Sequence, residues 1–263
     1  ASYPGFSGAI PDLTGTAEAV HAAGALFIVQ TDPVMCAILK SPGELGADIV
    51  TAEGQSLGNS MNYGGPFLGM MGATAKLIRK MPGRIVGEAR DHSGRRGFVL
   101  TLTAREQHIR REKAVSNICS NQGLVMLQTC IHLAAMGKTG LAATAKLCWD
   151  KAHHAASLIA AIPGFSVATP LFFKEFTVVC PVPAAGLAEK LTTQGIVPGL
   201  PVSRYFPDRP DELIVCVTEM NTRAEIERLA GALSAVSFTA FSGLATLGTT
   251  MPGAAASATE AQP

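Results

Sequence analysis

The chain is poor in charge and in aromatic side chains: 16% of its 263 residues are Asp, Glu, Lys or Arg, and 6% are Phe, Trp or Tyr, with one Trp. Beside 48% hydrophobic residues, so little charge excludes disorder as the general state, because that much apolar surface supports a core. Net charge is also missing. Lys and Arg total 21 against 20 acidic residues, so no overall field selects nucleic acid or an anionic membrane as partner. No apolar run reaches the roughly 20 residues a spanning helix needs; the longest, from Gly123 to Met136, is interrupted by Gln128 and His132. The six cysteines form no CxxC pair and no Cys/His cluster at zinc spacing, so buried, reduced thiols in a cytoplasmic protein are expected. The opening Ala-Ser-Tyr-Pro-Gly-Phe has neither a charged nor an apolar leader segment, and it reads as the interior of a longer chain. H-E-x-x-H, G-x-G-x-x-G and the P-loop pattern are absent, and no arrangement suggests a nucleophile with its base. His153 and His154, on a long helix, read as structural.

What is present has an α/β rhythm. DLTGTAEAVHAAG, from Asp12 to Gly24, predicts a short helix opened by Asp12 and stopped by glycine. ALFIVQ (25–30) and ADIVTAE (47–53) are continuous apolar runs of strand length, the pattern of strands covered on both faces; FLGMMGA (67–73) predicts a third. Two long helices follow, Ser116–Met136 and Thr139–Ile162, separated at Gly137. Beyond Gly164 the pattern changes to short strands, FSVAT, EFTVVCPV and ELIVCVTE, with helices over AAGLAEKLTTQGI and TRAEIERLAGALSAV. Thr222 and Glu225 form the S/T-x-x-E capping box that starts the last helix. The expected organisation is a large domain over 1–162 with bridging helices, a small α+β domain over 163–236, and a disordered Ala-, Gly- and Ser-rich tail over 237–263.

Three polar clusters stand out. The first is REQHIRREKAVSNICSNQ, Arg105 to Gln122; as a helix it would align Arg105, His108, Glu112 and Ser116 on one stripe. A solvated, ion-paired face is the plain alternative, and Ser116 and Asn117 also suit helix caps. The second is EGQSLGNSMNYGGPFLG, where small residues follow a predicted buried strand directly; ligands of α/β sheets sit in such loops, though a tight packing turn explains it too. The third is MPGRIVGEARDHSGRRGFVLTL: Arg84 follows a Pro-Gly turn and could hold a carboxylate, whereas Arg95 and Arg96 suit an exposed hairpin tip. From Lys76 to Lys113 eleven basic residues face four acidic ones, a local excess of +7 against −6 elsewhere.

GADIV, GQSLG and GGPFLG, then RKMPGRIVGEARD and RGFVLTLTAREQHIRREKAVSNICSNQ, then LIVCVTEMNTRAEI, together resemble the glycine dehydrogenase (decarboxylating) family, the P-protein of the glycine cleavage system. The resemblance runs from Tyr3 to about Val236 and is closer to subunit 1, the alpha chain of the two-subunit form, lacking its N-terminal part. It implies a fold-type I pyridoxal-phosphate (PLP) transferase-like α/β fold: the latter part of a large, mostly parallel-sheet domain followed by a small α+β domain. In the cofactor-bearing subunit of that family, a His-Lys pair in the loop after the strand carries the PLP. The corresponding positions here are Gln55 and Ser56, and no lysine occurs between Lys40 and Lys76. Asp32 stands two residues beyond the strand end at which an acidic partner for the pyridinium is expected.

The resemblance therefore implies a subunit that holds no PLP itself and completes the site of a PLP-bearing subunit 2. Together they would decarboxylate glycine and pass the aminomethyl group to the lipoyl arm of H-protein. Arg84, Arg105, Arg110, Ser116 and Asn117 are the candidates for the substrate or interface. Gln55, Ser56, Gly64, Gly65 and Pro66 shape a vestigial cofactor loop, and Thr218 and Glu219 close the strand before the last helix. An assembly subunit without a role in chemistry and a self-sufficient PLP aminotransferase or decarboxylase are the competing readings.

Overall fold

Alternation of apolar and polar side chains decides how the first sheet sits. In the computed structural model, which describes residues 1–62, 64–114 and 122–246, the chain divides into two compact units. The first comprises residues 1–150 and 171–174. Its sheet has the order β1 (Ser2–Tyr3), β2 (Ile28–Thr31), β3 (Ile49–Glu53), β4 (Gly69–Ala73). β1, β2 and β3 run parallel, with Val29 opposite Val50; β4 closes the edge antiparallel, with Thr51 opposite Met71. Strands covered on both faces are the expectation for β2, but its residues alternate: Val29 and Thr31 are buried, Ile28 and Gln30 exposed. The cause is visible in the core cluster, where Tyr3, Phe27, Val29, Met35, Leu57, Cys148 and Phe173 pack on one side only.

Helix α1 (Thr16–Ala22) begins later than its sequence suggests. The Asp12 carboxylate accepts the Thr14 N–H at 2.9 Å in a turn of its own, which delays the helix. β5 (Ile85–Arg90) and β6 (Arg96–Thr101) form a separate two-stranded ribbon with Glu88 opposite Phe98. Its tip is the expected exposed hairpin: Asp91 accepts the N–H groups of Ser93 and Arg95 and pairs with the Arg95 guanidinium at 2.9 Å.

The segment from Arg105 is not a continuous helix over the described residues. A 3-10 turn (Thr103–Arg105), the one-turn helix α2 (Gln107–Arg110) and a second 3-10 turn (Arg111–Lys113) replace it. Arg111, at φ 52° and ψ −124°, breaks the spiral, so the Arg105–His108–Glu112 stripe is not built over the described residues. The long helix α3 (Gly123–Ala160) contains the expected break, Gly137 at φ 60° and ψ −175°.

The second unit comprises residues 151–170 and 175–263. Its sheet, entirely antiparallel, has the order β7 (Ser166–Val167), β8 (Glu175–Val179), β10 (Glu212–Cys216), β9 (Leu200–Pro201). Phe176, Thr177 and Val178 in β8 and Leu213, Ile214 and Val215 in β10 are all buried, so both faces are covered. Helix α4 (Ala184–Thr192) buries Leu187 and Leu191, and α5 (Arg223–Thr246) buries Ile226 and Leu233. The capping box is made: Thr222 N–H donates to Glu225 at 2.7 Å, and Glu225 N–H to Thr222 Oγ1 at 3.2 Å. The backbone of α5 continues past Ser237, where the tail was expected, to Thr246; residues 247–263 lie outside the description. Among the described residues no helix is long and apolar enough to cross a membrane, and no cluster of residues suits a metal ion.

Candidate functional site

Parallel strands β2 and β3 deliver two segments to one edge of their sheet, the edge at which α/β folds place ligands. β3 ends at Glu53, whose carboxylate accepts the N–H groups of Gln55 and Leu68, each at 2.9 Å, and so ties together the two ends of the loop between β3 and β4. Within that loop the Gln55 side chain donates to the Asn59 carbonyl at 2.7 Å, a bond internal to the turn. Helix α3 fixes it from the other side. Asn59 Nδ2 donates to Thr129 Oγ1 at 2.7 Å and Gln128 to the Gly58 carbonyl at 2.7 Å. The His132 ring lies where a Gly58 side chain would project: a Cβ there would come within 2.4 Å of it, and φ of 87° independently favours glycine. Gly64 and Gly65, at φ 131° and 121°, carry the chain into Pro66 in a conformation other residues avoid.

The Gly54–Gly58 run, GQSLG, also matches the G-x-S-x-G spacing of a hydrolase nucleophile elbow, a signal passed over in the sequence reading. That elbow requires a strand-to-helix turn and a base. Here the strand leads into a compact turn instead, and Ser56, exposed, has no hydrogen bond to any histidine among the described residues.

At the end of β2, Asp32 is already engaged. One carboxylate oxygen accepts the Val34 and Met35 N–H groups, and the other pairs with Lys174 Nζ at 2.5 Å, both side chains largely buried. Lys174 also lies over the Phe173 ring, 5.9 Å from its centre. Neighbouring Cys36 sits against Thr31 Oγ1 and the Asp32 carbonyl; burial above all, with the Asp32 charge, pushes its thiol pKa up, so it is a proton-bearing packing group and not a nucleophile. Lys174 was not singled out in the sequence. A lysine set among the aromatic residues of LFFKEF was the available signal, but its partner lies far away along the chain.

PLP is held through a lysine amine, which the resemblance places in the loop after β3, and through a carboxylate available to the ring nitrogen. Gln55 and Ser56 supply no amine, and Asp32 is neutralised by Lys174, so these residues do not fit the cofactor. Among the remaining candidates, Arg84 is exposed after the Pro82-Gly83 turn, and Arg110 is exposed at the end of α2. The Arg105 backbone closes the 3-10 turn after Leu102, which has φ 53°. Ser116 and Asn117 lie outside the described residues. Five cysteines are described as thiols; Cys148 and Cys180 are buried as expected, whereas Cys130 and Cys216 are exposed. His154 is not satisfied as a structural histidine would be: its Nε2 is buried with no partner among the described residues.

The whole arrangement has the architecture of the fold-type I PLP-dependent enzymes. A solved sphingosine-1-phosphate lyase of Burkholderia pseudomallei superposes with a TM-score of 0.58 over 95% of this chain and 56% of its own, at 18% identity, a likeness of fold alone. The likeness then narrows. A crystal structure of inhibitor-bound glycine decarboxylase (P-protein) of the glycine cleavage system matches at TM-score 0.85 and 40% identity, over 90% of this chain and 54% of that one. The family model of the glycine cleavage system P-protein matches residues 1–233, and this chain belongs to that family. The "Probable glycine dehydrogenase (decarboxylating) subunit 1" of Desulforamulus reducens is 49% identical over 237 residues, 89% of this chain and 53% of the relative. The chain thus spans about half the length of the curated relatives it matches.

Proposed function

We propose that this chain is part of the subunit of glycine dehydrogenase (aminomethyl-transferring) that carries no cofactor and completes the glycine-decarboxylating site of a PLP-bearing partner. The observation that carries this reading is the pairing of Asp32 with Lys174 beside a loop that offers Gln55 and Ser56 but no lysine. In the partner, PLP supplies an electron sink for decarboxylation. This chain's share is to bind and orient. The guanidinium groups of Arg84, Arg105 and Arg110 hold the glycine carboxylate or the facing subunit, and Ser116 and Asn117 donate hydrogen bonds. In the loop after β3 the Gln55 and Asn59 amide groups are spent on the loop's own backbone and on α3, which suits a preformed wall better than a cofactor cradle. The aminomethyl product passes to the lipoyl arm of H-protein. A cytoplasmic location accords with thiols outside disulfides.

The test is mutational, in the assembled complex. Arg84→Ala, Arg105→Ala, Arg110→Ala and Asn117→Ala are each assayed for exchange of the glycine carboxyl with bicarbonate in the presence of H-protein, with assembly followed by sedimentation. Loss of exchange by roughly 100-fold or more in at least one variant that still assembles is expected for a lost charge-assisted contact to substrate. Full exchange in all four would leave a purely structural assembly subunit.

A further inference from the structure

The ribbon of β5 and β6 has a side that nothing in the described chain covers. Register places Val86 opposite Leu100 and Glu88 opposite Phe98, so Val86, Phe98 and Leu100 share one face, and they are 59%, 64% and 55% exposed. The other face is partly closed, because the Thr101 methyl lies over Gly87, 2.6 Å from where a Cβ would stand. A two-stranded ribbon is marginal in water by itself, and this one packs extensively against no other described element. Its apolar face is bordered by cations. Arg96 lies over the Phe98 ring at 5.4 Å, Arg90, opposite it, holds the Gly94 carbonyl at 2.9 Å, and Glu88, opposite Phe98, is the carboxylate on the same face.

We propose that the Val86–Phe98–Leu100 face is a docking surface for a different polypeptide, one presenting an apolar groove rimmed by carboxylates. Charge selects that occupant over a second copy of this chain. Two ribbons meeting face to face would bring Arg90 and Arg96 against the same pair when aligned, or against the end of the ribbon that Arg84 directly precedes when reversed. The identification of the occupant as the PLP-bearing subunit rests on the function proposed above; the chemistry of the surface does not.

The experiment measures the dissociation constant between the full-length protein and the purified PLP-bearing subunit by calorimetry across a salt series. Phe98→Ser with Leu100→Ser removes the anchors, and Arg90→Glu with Arg96→Glu reverses the charge on the same face while leaving Val86, Phe98 and Leu100 in place. The first pair is expected to weaken binding by roughly 100-fold. The second is expected to weaken it by roughly 10-fold at low salt, an effect that fades at high salt. Val197→Ser, a control at an 82% exposed position of the second unit, leaves binding unchanged. Equal affinity in both double variants overturns the surface while leaving the two-chain function intact. So does a fall in the melting temperature of the unpartnered protein with binding unchanged, which places the cover within the chain itself. Concentration-dependent self-association abolished by the serine pair assigns the face to a second copy and overturns it likewise. No binding by the unsubstituted protein overturns the two-chain function itself, and this surface with it.

Discussion

In the second unit, β8 and β10 each bury three consecutive residues, and the side chains from Phe176 to Val178 and Leu213 to Val215 meet protein on both faces. In the first unit, β2 buries every other residue and leaves Ile28 in the open. The difference extends over the surface. Among the described residues, the exposed large apolar side chains all belong to the first unit except Val197, Tyr205, Phe206 and Met220. The second unit is, in this sense, the finished one. The first exposes Leu124, Met126, Leu127 and Ile131 along one helix and Phe98 and Leu100 on a ribbon, apolar surface of the kind that marks interaction sites. For a chain of the P-protein family spanning about half of its relatives, the open unit is thus where assembly and function are to be sought.

The sharpest way to break this contrast is to truncate one phenylalanine from each unit. Phe176→Ala, at a side chain with no exposure, is expected to cost about 3–5 kcal/mol in denaturant unfolding. Phe98→Ala, already in solvent, should cost less than about 0.5 kcal/mol in the unpartnered chain. Lys174→Met comes next: it strands the Asp32 carboxylate away from water, and about 3 kcal/mol of stability should be lost. Asp32→Asn in the same background should recover most of it, which a double-mutant cycle measures. Gly58→Ala forces a side chain into His132 at positive φ; a loss of about 2 kcal/mol is expected, with faster amide exchange confined to the loop between β3 and β4.

Thr222→Ala removes the hydroxyl from the capping box and should cost about 1 kcal/mol, all of it in the finished unit. A further expectation concerns pH. Burial pushes the Cys180 thiol from its ordinary 9.0 up to about 12, so the folded protein retains that proton longer than the unfolded one. Its contribution is complete below pH 9 and is lost as the pH rises from there toward 12. Alkylation near pH 9 should modify exposed Cys130 and Cys216 while sparing Cys180.

Legibility in the sequence follows the same division. In the finished unit local signals agree with tertiary ones: the segments EFTVVCPV and ELIVCVTE hold β8 and β10, and Thr222 with Glu225 does what its spacing says. In the open unit, apolar runs suggested strands buried twice over, yet such a run reports what a strand can bury and not whether a cover is present. The one-sided stripe that a helix across Arg105–Lys113 would make is not built, because the backbone at Arg111 redirects the chain, and spacing carries no trace of that. Lys174 was invisible for another reason: its partner, Asp32, is distant in sequence and is met only through the fold. The absence of a lysine near Gln55 and Ser56, in contrast, could be read directly, and it remains the fact on which the functional reading turns.

The most direct test of that reading is reconstitution. The full-length protein and the PLP-bearing subunit are purified separately, and exchange of the glycine carboxyl with bicarbonate is measured with H-protein for each alone and for the two together. Exchange that requires both chains is the predicted result; exchange by the PLP-bearing subunit alone, at the rate of the pair, would contradict it.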